Sequence, residues 1–137
     1  MKFLTMALVM TLLPLTAQAQ VPISGDLTVS LNPQRYRICN DRPERLAWME
    51  TIVPREAYRA VTLMELYELR SWETIVRSQD CSCATRFPPW TNAGNEYDKT
   101  IRLLSAAEHT RKQRELRRQA AQLRSAVETV CRAQGNW

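Results

Sequence analysis

Four cysteines, Cys39, Cys81, Cys83 and Cys131, constrain this chain more than any other feature, because their redox state decides whether its parts are free or stapled. The first nineteen residues speak to that state. Lys2 supplies a positive start, residues 3–15 form an apolar stretch of h-region length, and Ala17-Gln18-Ala19 offers small residues at the two positions that signal peptidase reads. Residues 1–19 are therefore expected to be a secretory signal peptide, with the mature chain starting at Gln20. The apolar run is too short for a retained transmembrane helix, and no cysteine stands at the junction to carry a lipoprotein anchor. The expectation is an exported protein, periplasmic or secreted, with no membrane span after cleavage. In an oxidising compartment an even number of cysteines reads as two disulfides.

The 118 residues left after removing 19 from 137 make one small domain with a modest core, for which covalent staples matter. Three glycines against 45% hydrophobic residues favour helices over a turn-rich β-fold. The formal charge of +5 is mild, and in an exported protein it points to an anionic surface or an acidic protein rather than to nucleic acid.

Residues 20–40 carry Pro22, Gly25, Asn32 and Pro33 around alternating Leu27, Val29 and Leu31, which suits an extended arm with at most one short strand. Helical signals begin at Asn40 or Asp41 as caps, with Pro43 in the first turn, and predict a short helix over about 43–53 that Pro54 ends. Residues 55–79 lack Gly and Pro, and Ala57, Val61, Met64, Trp72, Ile75 and Val76 fall on one side at 100° per residue. The stretch 80–90, with its Cys-Ser-Cys and double proline, reads as the turn between two helices. Thr91 or Asn92 caps a last helix predicted over about 93–133, ending at Gly135. Its apolar positions form two groups, Tyr97, Ile101 and Leu104, then Leu116, Ala120, Leu123, Val127 and Val130. Between Ala107 and Leu116 nothing is apolar, so the seam is interrupted by solvent or by a site where something else packs.

The fold class is thus all-α, a long antiparallel helical hairpin with a short additional N-terminal helix, stapled by disulfides. Charge supports it: residues 41–80 hold eight acids against six bases, and residues 99–132 hold nine bases against three acids. Glu65 and Glu68 phase onto the apolar side, where a carboxylate needs a partner. An arginine of the last helix is the expected one, with a general-acid pair the sharper reading. Counting outward from the turn, Cys39 and Cys131 lie at similar heights, so they would staple the open end and leave Cys81 to Cys83. If the first helix folds back instead, Cys39 pairs with Cys81 or Cys83.

Chemistry-bearing motifs are absent. No Cys-x-x-Cys, Gly-rich phosphate loop, His-Glu-x-x-His or Gly-x-Ser-x-Gly occurs, and Cys81, Cys83 and the lone His109 lack a fourth ligand for a metal. His109 reads as a surface residue. No catalytic, cofactor or metal site is expected. The candidate partner-binding residues are the aromatic turn, Phe87, Pro88, Pro89 and Trp90, and the basic run Arg111, Lys112, Arg114, Arg117 and Arg118. For the turn, the bland reading is a plug over the end of the helix pair; for the run, it is a solvated face.

The signal with Ala17-Gln18-Ala19, the Ile38-Cys39-Asn40 before the first helix, the turn Cys81-Ser82-Cys83-Ala84-Thr85-Arg86-Phe87-Pro88-Pro89-Trp90 and the final Cys131-Arg132-Ala133-Gln134-Gly135-Asn136-Trp137 give the chain a likeness. Over Cys39–Trp137 it resembles the small exported helical proteins found with type IV secretion and conjugation loci in alphaproteobacteria. In build it is distantly similar to their helical minor pilin subunits, from which it departs in being shorter and richer in cysteine. The resemblance implies a non-enzymatic periplasmic accessory or structural component of a conjugation machine, with secretion-machine subunits or itself as partner. Two other readings compete. One is a secreted inhibitor or immunity-like binder whose aromatic tip plugs an envelope enzyme. The other is a thiol-disulfide protein using Cys81 and Cys83.

Overall fold

Pro54 pushes Val53, the residue before it, to extended backbone and so bounds any helix that follows Pro43. In the computed structural model residues 39–40 and 42–137 are described. The signal peptide, the arm up to residue 38 and the capping Asp41 lie outside the described residues. Leu46 and Val53 are both extended, with ψ of 133° and 144°, and only Ala47–Glu50 (α1) is helical between the prolines. The helix expected over 43–53 shrinks to that one turn. Pro54–Glu56 then forms a 3-10 turn that opens directly into Ala57–Ser78 (α2), so Pro54 starts a helix, α1 having already ended at Glu50.

The chain is all-α among the described residues. After α2 come Cys83–Arg86 (α3), Thr91–Thr100 (α4) and Ala106–Ala133 (α5). α2 matches its expected span. It stops at Gln79, which adopts the left-handed conformation at φ 55°. The single helix expected over 93–133 is two helices, broken at residues 101–105. Ser105 ends the break with a capping box: its hydroxyl accepts from the Glu108 N–H, and the Glu108 carboxylate accepts from the Ser105 N–H at 2.8 Å. Neither Thr91 nor Asn92 caps α4, whose N-cap is Trp90. α5 ends where expected, with Gly135 at φ 71°.

That break overturns the antiparallel hairpin. α2 and α5 meet at nearly constant sequence offsets: the side chains of Thr62 with His109 (47), Thr62 with Gln113 (51) and Glu65 with Arg117 (52), and, just past the two helix ends, the Gln79 carbonyl with the Gln134 side chain (55). A constant offset means parallel helices; an antiparallel pair would keep the sum of the two numbers constant instead. α4 carries the chain back. Trp90 stacks on Tyr67 of α2 at 3.9 Å, and Tyr97 then reaches His109, which faces the start of α2. Arg70 pins α4 to α2 by gripping Glu96 at 2.5 and 2.8 Å while also holding Glu73.

The core follows α2 and α5. Leu63, Leu66 and Leu69 bury against Met49, Trp90, Ala93, Tyr97, Ile101, Leu116 and Ala120 at one end; Ile75 packs with Val127, Val130 and Cys131 at the other. The buried stripe of α2 is therefore rotated from the expected one, and Val61 and Met64 are left 36% and 41% exposed. The α5 positions are as expected, except that Leu123 is only partly buried.

The disulfides join Cys39 to Cys83 and Cys81 to Cys131, with Cα atoms 5.5 and 5.1 Å apart. The pairing of Cys39 with Cys131 and of Cys81 with Cys83 is thereby corrected to the folded-back alternative. The physical cause is the parallel alignment, which puts the end of α2 beside the end of α5 rather than at the opposite pole.

Candidate functional site

Cys39–Cys83 does more than close a loop. Arg42 stands three residues beyond Cys39 and Arg86 three beyond Cys83, so the bridge brings both arginines to Phe87. The Arg42 guanidinium lies 4.0 Å from the Phe87 ring centroid and that of Arg86 5.4 Å, the latter also 5.9 Å from the Trp137 ring. Arg86 is anchored by donating to the Asn136 carbonyl. Burial and the neighbouring Arg42 charge hold its guanidinium below the usual arginine range.

These groups line one wall of a groove of about 690 Å³. Its floor and far wall come from α2 and α5: Met64, Tyr67, Trp72, Ile75 and Val127, with Trp137 packed 6.2 Å from Trp72. Arg45 and Arg124 add positive charge, Glu65 and Glu68 negative. Glu65 accepts from Arg117 Nε at 2.7 Å, so the partner expected from the last helix is present. Glu68 is exposed, its carboxyl pushed up by partial burial and by Glu65, with Arg124 pulling the other way.

The C-terminal motif holds the groove's end together. The Gln134 side chain accepts from the Cys81 N–H at 2.8 Å and donates to the Gln79 carbonyl at 2.9 Å, and the buried Asn136 amide donates to the Cys81 carbonyl. A side-chain amide thus satisfies the backbone that α2 leaves open at its left-handed end. On the other side of the turn, the Asp80 carboxylate accepts from Ser82 and Thr85, which holds its pKa below the usual value.

The interrupted seam of α5 is filled by His109, which is fully buried rather than on the surface. Its ring meets Tyr58 edge-on at 4.9 Å and lies 6.0 Å from Tyr97. Nδ1 is 2.9 Å from Thr62 Oγ1, and burial pushes its pKa down. Nε2 and the Tyr97 hydroxyl are buried without partners. A second cleft, of about 410 Å³, opens beside Tyr97, walled by Trp48, Ile52 and Arg59.

The expected partner-binding residues divide. Phe87 and Trp90 line the groove, but Trp90 is 9% exposed and stacked on Tyr67, whose hydroxyl donates to the Pro88 carbonyl at 2.7 Å. Of Phe87, Pro88, Pro89 and Trp90, only Pro89 is exposed. The turn is therefore packed onto α2 and forms no projecting tip. In the basic run, Arg117 pairs with Glu65, Lys112 with Glu115 at 3.2 Å and Arg111 with Glu108 at 3.8 Å, all on the surface of α5. Arg114 and Arg118 are exposed on the same helix, and neither lines the groove. Cys81 and Cys83 are bonded to different partners, which removes the pair on which thiol-disulfide exchange would rest.

Sequence reasoning missed Arg42, Arg86 and Arg124. The shared spacing of Arg42 and Arg86 from their cysteines is a signal, but only once the pairing is known. No family model matches the chain, and no curated protein and no solved structure matches it either.

Proposed function

We propose that this chain is a non-enzymatic docking protein of the cell envelope, an accessory component of a conjugation or type IV secretion machine that binds another envelope protein through the groove between its aromatic turn and α2. The observation that carries the reading is the groove itself, where aromatic rings sit beside arginines. Aromatic and arginine side chains dominate the energetics of protein recognition because they fill desolvated pockets at the centre of an interface with large areas that also carry polar or charged groups. The export reading of residues 1–19 supports the compartment, as do two disulfides. The likeness over Cys39–Trp137 supports the machine.

The test is photocrosslinking in the native host, with a photoreactive residue replacing Met64 in the groove and, as control, Arg114 on the outer face of α5. Subunits of an envelope secretion machine captured from position 64 and not from 114 are the expected result. Capture from 114 alone, or retention of the chain in the cytoplasm with residues 1–19 uncleaved, contradicts the proposal.

A further inference from the structure

The groove holds two cations that nothing in the described chain neutralises. Arg42 and Arg86 share one phenyl ring, and neither meets a carboxylate among the described residues: the ion pairs there use other bases, and the hydrogen bond of Arg86 goes to a carbonyl. Two guanidiniums held together by a disulfide and a ring repel each other, and an anion between them relieves that repulsion. The Phe87 ring holds both guanidinium groups close to one another, so less freedom is lost when a carboxylate is gripped.

We propose that the segment bound in the groove is an extended peptide in which Asp or Glu stands next to an apolar side chain, with Arg42 and Arg86 gripping the carboxylate and the apolar side chain resting on Met64, Trp72 and Trp137. The proposal rests on the docking reading above. The balance of charge fits it. Four arginines line the groove, Arg42, Arg45, Arg86 and Arg124, of which Arg45 pairs with Glu50 at 3.8 Å, against two carboxylates, of which Glu65 is engaged by Arg117. Met64 is 41% exposed, a large apolar side chain open to a partner. The chain's own segment 20–38 carries one such pair, Asp26-Leu27, but its Arg35 and Arg37 make it net basic, which complements a groove of arginines less well than an acidic peptide does. A polyanionic membrane surface would meet Glu65 and Glu68 in the same groove.

The experiment selects random twelve-residue peptides displayed on phage against the full oxidised chain, then measures recovered peptides by tryptophan fluorescence. Acidic-apolar sequences are expected to dominate. Their affinity is expected to fall about tenfold or more in Arg42→Gln, an exposed position on which no backbone group depends, and to weaken as salt rises. Arg86→Gln is the second variant, read only where its melting curve matches the parent. Neutral or basic binders that are lost in Met64→Asp would overturn the acidic assignment and leave the docking surface standing. Failure to recover any peptide sensitive to Met64→Asp would overturn the docking surface as well. Stronger binding by phosphatidylglycerol vesicles or by a peptide of residues 20–38, lost in Arg42→Gln, would overturn the assignment in favour of lipid or of the chain's own arm.

Discussion

Nδ1 of His109 lies 2.9 Å from Oγ1 of Thr62, 47 residues away, and this contact ties the start of α5 to the start of α2. Thr62 donates its own proton to the Tyr58 carbonyl at 2.7 Å. With that hydroxyl donating to the Tyr58 carbonyl, the neutral ring carries its proton on Nδ1, and Nε2 is buried without a partner.

A pH dependence follows. Protonating Nε2 would bury an unpaired cation, so the folded pKa is held below the ordinary 6.5 of the unfolded chain. The stability contributed by neutral His109 is complete above about pH 6.5, begins to fall as the unfolded chain protonates, and is lost once pH passes below the folded value. Urea midpoints between pH 7.5 and 5.5 are expected to drop with a slope of up to about 1.4 kcal/mol per pH unit. His109 is the only histidine, so His109→Gln is expected to flatten the slope in that window. An unchanged slope in the variant contradicts the assignment.

Tyr97 presents the opposite case. Burial pushes its phenol up to about 12, and the hydroxyl finds no partner. Tyr97→Phe keeps the ring against Trp48, 5.9 Å away, and removes only an unsatisfied group. Chemical denaturation is expected to show no loss of stability, or a gain of up to about 1 kcal/mol; a loss of that size would mean that the hydroxyl is hydrogen-bonded in solution.

Gln134 joins the ends of α2 and α5 through two hydrogen bonds, to Gln79 and Cys81. Gln134→Ala is expected to cost about 1–3 kcal/mol, since it strands one backbone donor and one acceptor. The Trp137 emission should shift to the red as the terminal segment loosens from Trp72. Gln134→Glu keeps the acceptor and loses the donor, and is expected to fall between the two.

Removing Cys39–Cys83 with paired serines tests what that bridge does. Its closure spans 44 residues, for which the loss of stability is about 2–4 kcal/mol. Circular dichroism is expected to retain the α2–α5 signal, because Cys81–Cys131 and the leucine core remain. Binding in the groove is expected to be lost with the placement of Arg42 against Phe87. Groove binding at the parental affinity would show that the bridge does not position the site.

What could be read from the chain divides along physical lines. The spans of α2 and of the end of α5 were legible because uninterrupted helical periodicity and a terminal Gly135 are local signals. The break at residues 101–105 had a local signal too, Ser105-x-x-Glu108, yet the continuing supply of helix formers on both sides masks it. Missing that one cap inverted the topology, because a single long helix forces an antiparallel hairpin whereas two helices return the chain and bring α5 parallel to α2. His109 was illegible for a related reason. A polar residue in an apolar gap reads as solvent-facing unless Tyr58, Thr62 and Tyr97 are known to converge on it. The groove depends on the cysteine pairing, and spacing alone admits more than one pairing.

The most direct test of the account is therefore the disulfide map, because Cys39–Cys83 is what places Arg42 beside Arg86. Tryptic digestion of the alkylated, unreduced chain leaves the cysteines on peptides 38–45, 78–86 and 125–132. The account predicts one species in which all three peptides are linked, with fragmentation around Ser82 assigning peptide 38–45 to Cys83 and peptide 125–132 to Cys81. Peptide 38–45 linked directly to 125–132, with 78–86 closed on itself, would contradict the parallel fold and the groove with it.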